Sequence, residues 1–77
     1  MPNDLADITV HIDEALDFSR LGKIEEDLLG LDGVVSACHR EDKPHLVVVA
    51  FNLEKLGAHD ILTHVKSQGV HAELIGM

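Results

Sequence analysis

Six consecutive apolar residues, Leu46 to Phe51, constrain the fold of this chain more than any other stretch. The run is too short for a buried helix, it is rich in β-branched residues, and it ends at Asn52. It therefore predicts a central strand that is covered on both faces, or nearly so. Side chains alternate along a strand, so the odd-numbered residues of the run share one face and the even-numbered residues share the other.

Hydrophobic periodicity predicts three further strands and two amphipathic helices around this strand. Asp17 is predicted as the N-cap of the first helix, Gly30 and Gly33 as its end, and Gly69 as the residue after the second helix. Residues 1 to 6 are predicted to be a loose chain end. The predicted elements in chain order are a strand at 7–13, a helix at 18–31, strands at 34–39 and 46–51, a helix at 56–68 and a strand at 70–75.

This order predicts an α+β fold, the ferredoxin-like βαββαβ sandwich, with a four-stranded antiparallel sheet and both helices on one face. Right-handed crossovers place the first and third strands in the middle. A polar turn, Arg40 to Pro44, predicts a hairpin in which residues 39, 38 and 36 lie opposite residues 45, 46 and 48. The face away from the helices is predicted to carry Thr9, His11, Ser36, Cys38, Leu46, Val48, Ala50, His71 and Glu73.

Length and composition limit the functions to consider. Residues 1–77 are predicted to form one domain. The formal net charge of -8 and the presence of only two aromatic residues argue against nucleic acid and anionic lipid as partners.

No apolar run approaches the roughly 20 residues that span a bilayer. A single cysteine, Cys38, predicts a reducing compartment, which we take as the cytoplasm. No nucleophile beside a base and no phosphate loop is found, so the chain is predicted not to be an enzyme.

The sequence resembles the heavy-metal-associated domain of copper chaperones and metal-pumping ATPases. The matching positions are Ile8 to Ile12, Ile24, Glu25, Leu28, Leu31, Gly33, Val34, Val35, Val49 to Asn52, Ile61, Val65, Gly69 and Ala72 to Leu74. The resemblance implies a metal site at the junction of the first strand and first helix. The Cys-x-x-Cys of that family is absent, because its cysteine positions fall on Asp17 and Arg20. Transfer of monovalent copper by a thiolate pair is therefore not expected.

Six histidines give this chain a different set of metal ligands. The predicted topology places all of them except His59 toward one end of the sheet, the end where the resembling family binds metal. Imidazole and carboxylate suit zinc, nickel, copper or iron as divalent ions. Two pairs are predicted to contribute, His11 with His71 and the nearby Glu73, and His39 with His45 across the hairpin.

We therefore predict a small metal-binding domain, of a metallochaperone or metal-sensing kind, with a histidine and carboxylate site. The alternative is a protein-interaction module without metal, or a regulatory domain of a cation transporter, that forms a homodimer or binds a transporter partner through the open face of the sheet. Leu46, Val48 and Ala50 form an apolar stripe on that face. A weaker resemblance to the cytoplasmic domain of cation diffusion facilitators, at Ala58-His59 and Val70 to Glu73, points to the same transporter role. A third alternative is an interface that responds to pH through clustered histidines.

Overall fold

The apolar run predicted as the central strand lies inside a four-stranded antiparallel sheet. The computed structural model describes residues 4–75. The elements are β1 (Leu5–Ile12), α1 (Phe18–Leu29), β2 (Val34–His39), β3 (Leu46–Asn52), α2 (Ala58–Lys66) and β4 (Ala72–Ile75). The strand order in the sheet is β2-β3-β1-β4. The predicted ferredoxin-like fold is confirmed, with the first and third strands in the middle.

The core lies between one face of the sheet and the two helices. Odd-numbered residues of β3, including Phe51, are fully buried there, whereas the even-numbered residues on the open face are partly exposed. The helices contribute one buried stripe each, as their periodicity predicts. The buried core residues are Ile8, Val10, Ile12, Leu21, Ile24, Leu28, Ala37, Val47, Val49, Phe51, Ile61, Val65 and Val70.

Several predicted element bounds are corrected by the structure. The first strand begins at Leu5, because its backbone pairs with β3 as far as Leu5 opposite Asn52, so residues 5 and 6 are not a loose end. Residues 1–3 of that prediction lie outside the described part of the chain. α1 ends at its C-cap Gly30, one of the two glycines predicted to end it. The second helix is shorter than predicted, because α2 begins only after Gly57, whose N–H donates to Asp60 Oδ2 at 2.8 Å.

The predicted hairpin register between β2 and β3 is wrong by two residues. His39 lies opposite Val47 rather than His45, and the shift follows from two consecutive turns in the loop. The Lys43 N–H donates to the Arg40 carbonyl, and the Leu46 N–H donates to the Lys43 carbonyl. Pro44 occupies the second position of the second turn, which its fixed φ favours. Residue 45 is thereby drawn into the loop.

Neither of the helices within residues 4–75 is long and apolar enough to cross a bilayer.

Candidate metal centre

His11 lies on the open face near the end of β1, directly opposite Glu73 of β4. Asp13 follows two residues later, so its side chain reaches the same side of the sheet. The His11 Nδ1 is 2.7 Å from Glu73 Oε2 and 3.1 Å from Asp13 Oδ1. One ligand atom from each of the three side chains lies within 4.8 Å of the other two. Within the described residues this is the single group of three or more metal-ligating side chains at such spacing. We call it the His11 cluster.

The hydrogen bonds of the His11 cluster define the state of its imidazole. Ionised carboxylates only accept hydrogen bonds, so the proton between His11 and its two neighbours resides on Nδ1. An ion bound by all three side chains would replace this proton between Nδ1 and the carboxylate oxygens, since metal ligands must be deprotonated. The cluster is accessible to an ion, since 36% of the His11 side chain and 51% of each carboxylate side chain are exposed.

His45 is close to the His11 cluster but does not belong to it. Its ring stacks on that of His11, with 5.7 Å between ring centroids and 15° between planes. The His45 Nδ1–H donates to the Ile12 carbonyl oxygen at 2.6 Å, which fixes both the tautomer and the ring orientation. Both rings line a shallow depression with Pro44 and Leu46. His45 is therefore a neighbour of the cluster, and its Nε2 forms no hydrogen bond with any group of residues 4–75.

His71 is near the cluster but pairs with a different carboxylate. It precedes β4, and both its backbone N–H and its Nδ1–H donate to Glu14, the latter at 2.7 Å. This hydrogen bond raises the pKa of His71 and lowers the pKa of Glu14. The predicted pair of His11 with His71 is thus replaced by His11 with Glu73, because residue 73 rather than 71 lies opposite residue 11.

His39 lies on the helix side of the sheet, away from His45. Its backbone N–H and its Nδ1–H both donate to Glu25 Oε2, at 2.7 and 2.6 Å. Phe18 stacks on its ring with 5.4 Å between centroids. The prediction that His39 and His45 face each other is wrong, since the corrected register places His39 opposite Val47 on the covered face.

His64 lies in the last turn of α2 and does not belong to the His11 cluster. It lines a depression together with Leu31 and Ser67. His59, predicted to be apart from the others, is exposed on the first turn of α2.

The positions that match the cysteines of heavy-metal-associated domains have structural roles here. Asp17 Oδ1 accepts the Arg20 backbone N–H at 2.8 Å and so caps α1, as predicted. The Arg20 guanidinium donates to the Gln68 carbonyl at 2.9 Å. Cys38 is exposed on β2 opposite Val48. These donors do not suit a monovalent copper site of two thiolates.

Asp13 is the one residue of the His11 cluster that is not among the five metal ligands predicted from the sequence. The signal in the sequence is the spacing His-x-Asp at the end of a strand, which places two side chains on one face. The bond from the Asp13 backbone N–H to the His71 carbonyl holds the chain in this extended form beyond the end of β1.

Fold and site together define a small ferredoxin-like domain whose open face carries a histidine flanked by two carboxylates. No family model and no curated protein sequence matches this chain. Solved structures do match, and they include copper chaperones and metal-binding domains of P-type ATPases with the heavy-metal-associated fold. The resemblance stated from the sequence is confirmed at the level of the fold, with the Cys-x-x-Cys absent.

Three of these structures illustrate the similarity. A copper binding domain from HMA7, a P-type ATPase, has a TM-score of 0.81 at 20% identity, covering 91% of this chain and 93% of that one. Oxidized MerP from Ralstonia metallidurans CH34 has a TM-score of 0.81 at 11% identity, covering 94% and 99%. The apo copper chaperone of Enterococcus hirae has a TM-score of 0.78 at 22% identity, covering 88% and 98%. At these identities the similarity concerns the fold.

Proposed function

We propose that this chain is a small domain that binds a divalent transition metal ion through His11, Asp13 and Glu73. The observation that carries the proposal is the convergence of one imidazole and two carboxylates, from two strands and a loop, on a single nitrogen. The similar structures include a copper binding domain and a copper chaperone, which supports a role in metal handling for this fold.

The ligand set favours zinc, nickel, iron or divalent copper over monovalent copper. Imidazole nitrogen and carboxylate oxygen are the donors that borderline divalent ions take, at about 2.0–2.2 Å for zinc. Of the five ligands predicted from the sequence, we propose His11 and Glu73 as ligands. His45 and His71 border the proposed site, and we do not include His39, because its backbone N–H and its ring bond to Glu25. The exposure of the cluster suits an ion that is delivered or sensed rather than permanently enclosed.

Isothermal titration with zinc, nickel and divalent copper at about pH 7 tests the proposal. We expect saturable binding of one ion with an affinity tighter than about 1 mM, which corresponds to about -4 kcal/mol. Removing a ligand in His11→Ala should weaken binding by at least about tenfold.

His59→Ala is the matched control for this titration, since it removes an exposed histidine from α2. It should leave the affinity unchanged. Heats that never saturate, or an equal loss in His59→Ala and His11→Ala, would refute the site. Cys38→Ser should also bind normally, because the proposed site contains no thiolate.

A second candidate function is homodimerisation, or contact with a transporter, through the open face of the sheet. The observation in its favour is that Leu46, Val48 and Ala50 are partly exposed on the face that the helices leave uncovered. We propose the cytoplasm as the compartment for either function, on the strength of the single exposed thiol.

Val48→Lys tests this second candidate by placing a charge at the centre of the stripe. If the open face mediates self-association, sedimentation should show a larger species in the wild type that Val48→Lys abolishes with the fold retained. A wild type that stays monomeric over the accessible concentration range would eliminate the homodimer. If it also bound no other protein through Leu46, Val48 and Ala50, the second candidate would be refuted.

A further inference from the structure

The most exposed large apolar side chains of the domain lie away from both proposed sites. Phe18 is 69% exposed, Val35 is 57% exposed and Leu29 is 50% exposed. The two other exposed large apolar residues in the described part of the chain, Leu5 and Leu53, lie at the end of the sheet opposite the His11 cluster. The open face, by contrast, has only partly exposed apolar residues.

Phe18 and Leu29 share one side of α1 with Gly22 and Glu25. Spacings of four, seven and eleven residues return to nearly the same helix face, so these positions form one stripe about 16 Å long. The stripe borders β2, because Glu25 bonds to His39 and Phe18 stacks on the His39 ring.

Val35 extends this stripe onto the edge of the sheet. β2 begins shortly after α1 ends, so Val35 lies at the Leu29 end of the stripe and His39 at the Phe18 end. The pairing of β2 with β3 shifts between Val34 and Ser36, which leaves Val35 as the extra residue of a β-bulge. We call the surface formed by Phe18, Gly22, Leu29 and Val35 the α1–β2 flank.

Gly22 is not required by the fold. It lies in the middle of α1, it is exposed, and a Cβ at this position would meet nothing within 4 Å. Glycine inside a helix is less favourable than alanine, because it loses more conformational freedom on folding. Its effect on the surface is a notch between Phe18 and Leu29, through which the backbone of another element can approach α1 closely.

The charge around the flank selects a basic partner. Glu26 lies on the solvent side of the stripe, is exposed, and forms no ion pair within residues 4–75, whereas Glu25 is held by His39. The whole chain carries a formal charge of -8, which disfavours a second copy and any acidic segment. The bulge at Val35 interrupts the regular edge of β2 and so disfavours addition of a strand. A helix needs no such edge.

We propose that the α1–β2 flank docks a basic amphipathic helix of another protein. Its apolar side chains contact Phe18, Leu29 and Val35, its backbone approaches at Gly22, and its lysine or arginine side chains lie beside Glu26. This is the helix-in-groove mode of recognition, with anchors spaced along one helix face. The surface is separate from the His11 cluster, so docking and metal binding can be lost independently.

A synthetic helical peptide of about 18 residues, with leucine on one face and lysine on the other, tests the proposal. Binding is measured by fluorescence anisotropy, and nuclear magnetic resonance locates it on the intact chain. We expect saturable binding with shifts on α1 and β2. The double variant Phe18→Ser, Leu29→Ser should weaken it by about tenfold or more, and Gly22→Leu should weaken it while the fold is retained.

Matched controls make the outcome decisive. Leu53→Ser removes an equally exposed leucine at the other end of the sheet, and His11→Ala disables the proposed metal site; neither should change peptide affinity. The same peptide with glutamate in place of lysine should not bind. Equal binding of both peptides, shifts centred on Val48, an equal loss in Leu53→Ser, or self-association that Phe18→Ser abolishes would each overturn the proposal.

Discussion

At the scale of single residues, four of the six histidines differ in the group to which their Nδ1 is hydrogen-bonded. His11 meets two carboxylates, His39 and His71 meet one each, and His45 meets a backbone carbonyl. The sequence indicates that imidazoles are frequent and largely near one end. It could not indicate these partners, because a shift of two residues in strand register decides which side chain stands opposite which.

The pair of His71 and Glu14 makes stability depend on pH. The raised pKa of His71 means that its contribution is complete below about pH 6.5, the usual value, and is lost as pH rises through the folded pKa. The lowered pKa of Glu14 means that its contribution is present above about pH 4.5 and is lost as pH falls through its folded pKa. The pair therefore stabilises the fold most between these two values.

Glu14→Gln should remove this dependence. We expect urea denaturation with a chelator present to show the wild type gaining stability over the variant between about pH 4.5 and 6.5, with the difference shrinking on either side. A difference that stays constant from about pH 4 to 8 would contradict the assigned pair.

At the scale of elements, the turn between α1 and β2 depends on Gly33. Its φ is +108°, and a Cβ there would lie 2.5 Å from Leu56 Cδ2 and 2.7 Å from Lys55 Cβ. Gly33→Ala should therefore destabilise the fold by roughly 2 kcal/mol or more, since backbone strain and overpacking add. Thermal or urea unfolding measures this change.

Gly69→Ala is the matched control for Gly33→Ala. Its φ is +87°, but nothing lies within 4 Å of an added Cβ. Only the cost of the left-handed backbone, about 1–2 kcal/mol, should appear. Equal losses in the two variants would show that the turn has room for a side chain at residue 33.

Element types were predictable where the chain has a clear period, and bounds were less so. In β1, apolar and polar residues alternate, which indicates a strand. In α1, apolar residues recur every three or four positions, which indicates a helix. The early start of β1 at Leu5 comes from pairing with β3, and the late start of α2 comes from the bond between Gly57 and Asp60. Neither contact has a periodic signal in the sequence.

At the scale of the whole molecule, the chain has the heavy-metal-associated fold. By the sequence resemblance, the two positions that correspond to the cysteines of that family carry Asp17 and Arg20, which have structural roles one turn apart at the start of α1. Asp17→Cys combined with Arg20→Cys should therefore create a site for monovalent copper, because two nearby thiolates are the soft ligands that this ion prefers. The loss of the Asp17 cap should cost about 1 kcal/mol of stability.

Competition with a chromogenic copper(I) chelator under reducing conditions measures the gain in the double variant. The single variant Asp17→Cys is the control for one added thiolate and should gain far less. A double variant that folds but competes no better than wild type would show that the loop between β1 and α1 differs from that of the similar structures.

The position of Glu73 on a four-residue edge strand has a mechanical consequence. His11 lies in the central strand β1 and Asp13 directly follows it, whereas β4 pairs with β1 alone. An ion bound at the proposed site would link the last strand to the centre of the domain. Its binding should therefore slow amide exchange in residues 72–75 more than in the rest of the sheet, so that the edge strand of the domain would distinguish the loaded from the empty form.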